Sequence, residues 1–291
     1  MRCGKTFSEA QPLEGIRIET AKLHQVIQLL CEGVGVRAVS RLTGLDKETI
    51  LHILETVGGK CASFHDSTVR NVKTANVETD ELYSKVFCKQ ERNKTGDDER
   101  GEQYTFLSCC RDSKLIISFL TGKRTRENTH THIQDLKCRL AGRTQITTDN
   151  YISYRGKNGA IQNTFGRDGI DYGMLTKVYA ISALPENRYA PPVCILAKKT
   201  PVLGQPDIDF ICTSHVERQN LTIRLFNRRF TRLTLGFSKK LSNLRHSVAL
   251  FTCYWNWCWK HTTTKQTPAQ AAGLTDHVWT IAELLNKIST I

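Results

Sequence analysis

The order of strand-like and helix-like patterns between residues 76 and 235 constrains the fold of this chain more than any other feature. Three β-like runs come first, and the second and third (YTFLSCC and KLIISFLTG) flank the turn RDS as the arms of a hairpin. A helical pattern that stops at Gly142, a short strand, a short helix and a further strand follow. A last helix then begins near Asp209. This order predicts an α/β fold in which a mixed sheet is flanked by helices.

Two stretches are predicted to be irregular. Residues 59–75 have no sustained period and are rich in polar side chains, so we place a domain boundary near them. Residues 183–209 contain several prolines and are predicted to form a long irregular segment that leads into the last helix. Such long loops in a compact domain are often functional.

Three acidic residues occupy distinctive places in this order. Asp80 lies in the first β-like run, Asp149 ends the fourth, and Glu217 lies on the last helix. Asp80 and Asp149 are therefore expected on neighbouring strands and Glu217 on a helix that covers the sheet. The pattern alone leaves two interpretations open, because an Asp at the end of a strand is also a common turn residue.

The last helix is predicted to run from Asp209 to Leu235 and to have two different faces. At 100° per residue, Glu217 lies in line with Arg224 and Arg228. This face is either a solvated face or a metal-binding carboxylate followed by arginines that hold phosphates. The opposite side is an apolar stripe that predicts a core contact, formed by Val216, Ile223, Phe226, Phe230 and Leu233.

Composition points to a polyanionic partner. The chain has 291 residues, enough for two domains, and 41 basic against 28 acidic side chains, which gives a net charge of +13. The basic tract between Arg218 and Arg245 contains no acid, so nucleic acid is the leading partner. No apolar run is long enough to span a bilayer, and we expect a cytoplasmic, nucleoid-associated protein without a membrane partner. The 11 cysteines include no C-x-x-C pair, which favours reduced thiols over a disulfide framework.

Residues 21–58 show a pattern of three short helices, with Gly44 in the turn between the second and third and Asp46 as the N-cap of the third. This spacing is typical of a helix-turn-helix, whose last helix enters the major groove by its N-terminal residues. The same pattern would also suit any small three-helix bundle. The predicted contacts are Lys47, Glu48 and Thr49 to bases, and Arg37 and Arg41 to phosphates.

Two further groups are predicted to be structural. His130 and His132 are two residues apart on a helix and therefore on different faces, so they are expected at the surface rather than as joint metal ligands. The aromatic block near the C-terminus could stack on bases, but its spacing favours a packed core. Its members are Phe251, Tyr254, Trp255, Trp257 and Trp259.

Four segments of the chain carry a resemblance to a known family. ETDELYSKV, TTDNYISYR and TSHVERQNLTIRLFNRRFTRLTLGFSKKLSN, followed by TPAQAAGLTDHVW, resemble the DDE transposases of bacterial insertion sequences, of the insertion-sequence-one type. The resemblance runs from about Ala21 to the C-terminus, and HVERQNLTIR is its most specific part. It implies a ribonuclease-H-like fold with Asp80, Asp149 and Glu217 as the catalytic triad. It also implies that Arg224 lies near the DNA end.

The chemistry implied by this resemblance explains the need for three acids. Cleavage of a DNA phosphodiester is a displacement at phosphorus that two divalent ions can assist, and Mg²⁺ or Mn²⁺ prefers oxygen ligands. Asp80, Asp149 and Glu217 would hold these ions. The freed 3′ hydroxyl would then attack target DNA. The basic tract would hold the strands of double-stranded DNA, with Arg224, Arg228, Arg229 and Arg232 as the expected contacts.

We therefore expect an enzyme that cleaves insertion-sequence ends and transfers the strands to target DNA, as a homo-oligomer on DNA. Its expected domains are a helix-turn-helix domain (1–65), a ribonuclease-H-like catalytic domain (70–235) and a helical C-terminal extension packed on the core (236–291). Residues 1–20 are interpreted as a linker or as the remnant of a zinc ribbon truncated to the single Cys3. Two alternatives stay open: an inactive remnant that only binds DNA, and a stand-alone nuclease of the same fold.

Overall fold

The computed structural model of the protein describes residues 13, 15–180 and 193–290. The chain divides into two compact units. The sheet unit comprises Val69–Lys85 and Lys89–Leu221. The helical unit comprises the described residues of Met1–Thr68, Val86–Cys88 and Thr222–Ile291, and thus groups helices from both ends of the sequence.

The sheet unit is built on a six-stranded mixed sheet with the order β3-β2-β1-β4-β5-β6. β1 pairs with β4 and β4 pairs with β5 in parallel, whereas the β2–β3 and β5–β6 pairs are antiparallel. Helices flank this sheet, which confirms the predicted α/β class. The strands are β1 (Asn76–Val86), β2 (Gly101–Cys110), β3 (Ile116–Gly122), β4 (Gln145–Thr148), β5 (Asp171–Tyr179) and β6 (Cys194–Leu203).

Two helices of the sheet unit each bury part of their surface. α4 (Arg126–Arg139) begins at Thr125, whose side chain accepts a hydrogen bond from the Asn128 amide, and it buries Ile133 and Leu136. α5 (Ala160–Phe165) follows β4 and buries its first residues. These helices are the two predicted between the third and fifth strands of the sequence.

β6 corrects the prediction of a long irregular segment over residues 183–209. Residues 183–192 of that segment lie outside the described residues, but Cys194–Leu203 form a strand at the edge of the sheet. The proline in this strand, Pro201, is compatible with it because an edge strand has a side that needs no donor.

The helix that carries Glu217 is shorter than predicted. α6 spans Ser214–Phe226, and the Asn227 side chain then accepts a hydrogen bond from the Arg229 amide in a separate 3-10 turn. Val216, Ile223 and Phe230 are buried as expected. Leu233 is 93% exposed, so its predicted place in the apolar stripe is wrong, because the helix has ended before it.

The helical unit contains the three predicted N-terminal helices. α1 (Thr20–Cys31) and α2 (Val36–Thr43) are followed by Gly44, whose φ of +72° ends α2 in the left-handed conformation. α3 (Lys47–Thr68) begins with the Glu48 amide donating to Asp46, as predicted. It continues through much of the polar stretch that we expected to be irregular. Assignment of these helices as a helix-turn-helix stays a prediction.

The C-terminal helices complete the helical unit. α7 (Leu241–Cys253) packs along α3, and a Cβ on Gly58 would lie 2.5 Å from the His246 carbonyl oxygen, so this approach requires glycine. A π-helical turn over Tyr254–Cys258 extends α7, and α8 (Pro268–Ala271) and α9 (Ile281–Ser289) follow. Within the aromatic block, the predicted core role is confirmed for the buried side chains of Phe251, Trp255 and Trp257.

Among the residues that the structure describes, no helix combines the length and the apolar composition needed to cross a membrane.

Candidate metal centre

The parallel pairing of β1 with β4 brings two of the predicted acids together. The register aligns Thr79 with Thr148, so Asp80 and Asp149 are the next residues along two adjacent strands. Oxygens of Asp80, Glu81 and Asp149 lie within 4.8 Å of one another. We call these three residues the carboxylate cluster.

Glu81 is the member of the carboxylate cluster that sequence reasoning missed as a site residue. In a regular strand, consecutive side chains point to opposite faces, so Asp80 and Glu81 would not be expected to share a site. Burial does not alternate in this part of β1, since residues 77–79 are all buried and Asp80 and Glu81 are both half-buried. The adjacent acids in ETDEL are the signal that could have suggested a shared site.

Glu217 lies in the first turn of α6 but is not one of the three clustered carboxylates. It accepts a hydrogen bond of 2.7 Å from the Thr213 hydroxyl and forms an ion pair with Lys177. Its charge nevertheless acts on Asp80 and contributes to a raised pKa there. The structure therefore places Glu217 beside the cluster with a cation of its own.

The N-terminal part of α6 is fixed to β1 by two side chains of that strand. Glu78 is buried and accepts hydrogen bonds from the amides of His215 and Val216 at 2.8 and 3.0 Å. Further along the helix, the Asn220 side chain donates to Asp80 at 2.8 Å. Because Glu217 lies between these contacts in sequence, they determine where its carboxylate can reach.

Burial and mutual repulsion raise the pKa of two members of the carboxylate cluster. Burial raises the pKa of Asp80 to about 6, and the charges of Asp149 and Glu217 act in the same direction. Burial also raises the pKa of Glu81 to about 7, with Asp149 and Asp80 adding to the shift. The cost of burying these two carboxylates in their charged form is therefore only partly offset by neighbouring cations.

Two neighbours compensate part of the charge. Arg124 donates to Glu81 at 2.7 and 3.0 Å and lies 3.8 Å from an oxygen of Asp149. The Tyr154 hydroxyl donates to the other oxygen of Glu81. Arg124 also lies over the Tyr151 ring, 3.8 Å from its centroid, which restrains the guanidinium.

The donor set fits a hard divalent cation. The carboxylate cluster offers only oxygen ligands, which is the preference of Mg²⁺ and Mn²⁺. Burial is the main cause of both raised pKa values, and a bound cation would favour the ionised form of both carboxylates. Asp80, Glu81 and Asp149 could bind one ion together, with Glu217 adjacent.

The predicted DNA-contacting residues differ in exposure. Arg229 is partly buried, burial lowers its pKa to about 10, and it donates to the Ser238 hydroxyl at 3.1 Å. It is thus tied into the protein rather than presented to solvent. Arg224 and Thr49 are half-buried. The exposed members are Arg37, Arg41, Lys47, Arg228 and Arg232.

The expectation that His132 lies at the surface is wrong. Its ring is fully buried, with Nε2 2.8 Å from the Ser108 hydroxyl and Nδ1 3.2 Å from the Ser118 hydroxyl. The same Ser118 hydroxyl donates to Asp135 at 2.5 Å. We call Ser108, Ser118, His132 and Asp135 the histidine network.

The sequence matches no protein-family model, and no match to a curated protein was found.

Proposed function

We propose that this chain is a DDE transposase with a ribonuclease-H-like core, which cleaves DNA at the ends of an insertion sequence and joins them to target DNA. The observation that carries the proposal is the meeting of Asp80, within β1, and Asp149, directly after β4, on two adjacent parallel strands. A six-stranded mixed sheet flanked by helices is compatible with such a core. The segments ETDEL, TTDNY and HVERQN, which supply the resemblance, hold the three proposed catalytic acids.

The reaction assigns each acid the role of a metal ligand. Two divalent ions supply activation of the attacking oxygen and stabilisation of the leaving oxygen in phosphodiester cleavage. Asp80 and Asp149 would hold them, and Glu217 would complete the ligand set after leaving its ion pair with Lys177. Asn220 orients the Asp80 carboxylate through its hydrogen bond.

Other residues of the site control charge and geometry. Arg124 neutralises part of the charge of Glu81 and Asp149, which limits repulsion of a phosphate that approaches the cluster. Glu78 holds the N-terminal amides of α6, so it fixes the helix that presents Glu217. Binding of the DNA itself is assigned to the net charge of +13 and to exposed basic residues such as Arg228 and Arg232.

The proposal is tested by substituting Glu217 with Gln, which preserves shape and removes the charge. We expect Mg²⁺-dependent cleavage and joining of labelled element ends to fall at least about 10³-fold, because a metal ligand is removed. End binding, measured by gel shift, should change less than about threefold. The matched control is Glu127→Gln, which changes an exposed glutamate on α4 of the same unit.

The outcomes separate the alternatives. Cleavage of the Glu217→Gln protein at the normal rate would place the active site elsewhere. If the unaltered protein binds DNA but does not nick it in the presence of metal, the chain is an inactive remnant that only binds DNA. If the protein hydrolyses several DNA substrates but joins none of them, it is a stand-alone nuclease of the same fold.

The DNA-binding part of the proposal predicts a salt dependence. The logarithm of the affinity should fall linearly with the logarithm of salt concentration, and Arg228→Gln with Arg232→Gln should reduce the slope by about 0.9 for each phosphate that the protein no longer neutralises. Arg229→Gln should instead lower thermal stability, because its guanidinium bonds within the protein. An unchanged slope in the double variant would assign these arginines to solubility.

A further inference from the structure

A second group of potential metal ligands lies where β1 meets the N-terminus of α6, and its chemistry differs from that of the carboxylate cluster. Glu78 on β1, Cys212 before α6 and His215 in its first turn each present a ligand atom, and these atoms lie within 4.8 Å of one another. The group contains a thiol and an imidazole, which the carboxylate cluster lacks. Cys212 and His215 have the C-x-x-H spacing that lets one short segment supply two ligands.

The carboxylate of Glu78 is oriented as a ligand would be. Its Oε2 accepts both backbone amides of the helix terminus, whereas its Oε1 faces His215 Nδ1 at 2.7 Å. The amide bonds hold the carboxylate in place through one oxygen and leave the other directed at the imidazole. Such outer hydrogen bonds typically fix the orientation of ligands in metal sites.

The other two ligands, Cys212 and His215, are reachable from solvent. Cys212 and His215 are half-buried, so an ion can reach them from solvent. The Cys212 sulfur accepts a hydrogen bond from the Ser214 amide at 3.3 Å and lies 2.9 Å from the Ser214 hydroxyl. In a tetrahedral zinc site with bonds of about 2.0 to 2.3 Å, ligand atoms lie roughly 3.3 to 3.6 Å apart. The Glu78–His215 contact must therefore open by less than about 1 Å.

We propose that Glu78, Cys212 and His215 form a binding site for a thiophilic divalent ion of the zinc class, with a fourth position open to water. Thiolate and imidazole select zinc over magnesium, so this site and the carboxylate cluster would take different ions. The bound ion would connect β1 to the start of α6. One of its ligands, His215, lies two residues before Glu217.

The test uses Co²⁺ as a spectroscopic substitute for Zn²⁺ on the reduced, full-length protein, without DNA. We expect a cobalt–thiolate charge-transfer band that one equivalent of Zn²⁺ removes and that excess Mg²⁺ leaves unchanged. Cys212→Ser should abolish the band, and His215→Gln should weaken Co²⁺ binding at least tenfold. Thermal unfolding in metal-free buffer checks that both variants are folded.

Two control variants make the result specific. Cys138→Ser removes an exposed thiol of the same unit and should leave the band intact. Asp149→Asn changes the carboxylate cluster and should also leave it intact, so the result is independent of the proposed transposase activity. Absence of the band from the unaltered protein, or its persistence in Cys212→Ser, would overturn the proposal and leave only the Glu78–His215 hydrogen bond.

Discussion

The sheet unit contains two polar clusters, the histidine network and the carboxylate cluster, which differ in charge and in how fully their polar groups are paired. In the histidine network, each imidazole nitrogen lies beside a serine hydroxyl, and burial lowers the pKa of His132 to about 4, so the ring is neutral at physiological pH. In the carboxylate cluster, burial raises the pKa of Asp80 and Glu81 to about 6 and about 7, and their charge is only partly balanced.

The difference separates a group that stabilises the fold from one available for chemistry. A buried network with satisfied hydrogen bonds specifies packing and has little to gain from a ligand. Several carboxylates gathered with too few cations destabilise the metal-free protein and gain from a cation. The histidine network also reaches the other cluster's strand, because the Ser108 hydroxyl lies 2.8 Å from that of Thr79, the residue before Asp80.

The largest change that we expect from this comparison is a loss of folding stability when His132 is replaced. His132→Ala should lower the free energy of unfolding by about 2 to 4 kcal/mol, because it leaves a cavity and takes a partner from two buried serines. Urea unfolding of the metal-free protein measures it. The control is His130→Ala, a half-buried residue two positions away on α4, for which we expect a smaller loss. Equal losses would contradict the structural role of the network.

A smaller effect is expected on metal affinity when the other cluster is changed. Asp149→Asn should weaken Mn²⁺ binding about 10- to 100-fold, or about 1.4 to 2.8 kcal/mol, because one charged ligand becomes neutral. Paramagnetic resonance of free Mn²⁺ gives the affinity without any DNA. Asp168→Asn, at an exposed aspartate of the same unit, should bind Mn²⁺ normally. Normal binding by Asp149→Asn would remove this carboxylate from the proposed ligand set.

Much of this comparison could be predicted from the sequence, and the missed parts have physical causes. Strand patterns and glycine stops predicted the order of β1 to β5 and placed Asp80 and Asp149 on neighbouring strands. β6 was missed because its proline and exposed apolar residues, such as Ile195, do not produce the alternation of a half-buried strand.

Side-chain environment was harder to predict than element order. His130 and His132 were correctly expected on different faces of α4, but the pattern did not show that one of those faces is buried against serines of β2 and β3. α6 was predicted to continue past Phe226 because the turn at Asn227 depends on a side-chain hydrogen bond rather than on a glycine or proline. Assignment of the three acids as a catalytic triad stays a prediction.

The smallest expected effect is the change in stability when Asp80 is replaced by a residue that cannot ionise. Its sign shows whether the Asp80 charge destabilises the folded protein. The pKa of Asp80 is about 6 in the folded protein, above its ordinary value, so the folded state binds the proton more tightly than the unfolded state does. The metal-free protein should therefore lose stability as pH rises from about 4 to about 6, and the loss should persist above that range. Asp80→Asn, which cannot ionise, should be more stable than the unaltered protein at pH 7.

The size of this gain is limited by solvent. A rise of the Asp80 pKa to about 6 corresponds to at most about 3 kcal/mol, and partial exposure of Asp80 reduces the expected gain to on the order of 1 kcal/mol. At pH 4 the difference should largely disappear, since the aspartate is then mostly protonated in the folded protein. Urea unfolding at both pH values measures it, and addition of Mg²⁺ at pH 7 should stabilise only the unaltered protein appreciably. A variant less stable by the same amount at both pH values would mean that the Asp80–Asn220 hydrogen bond, rather than the charge, determines the role of this residue.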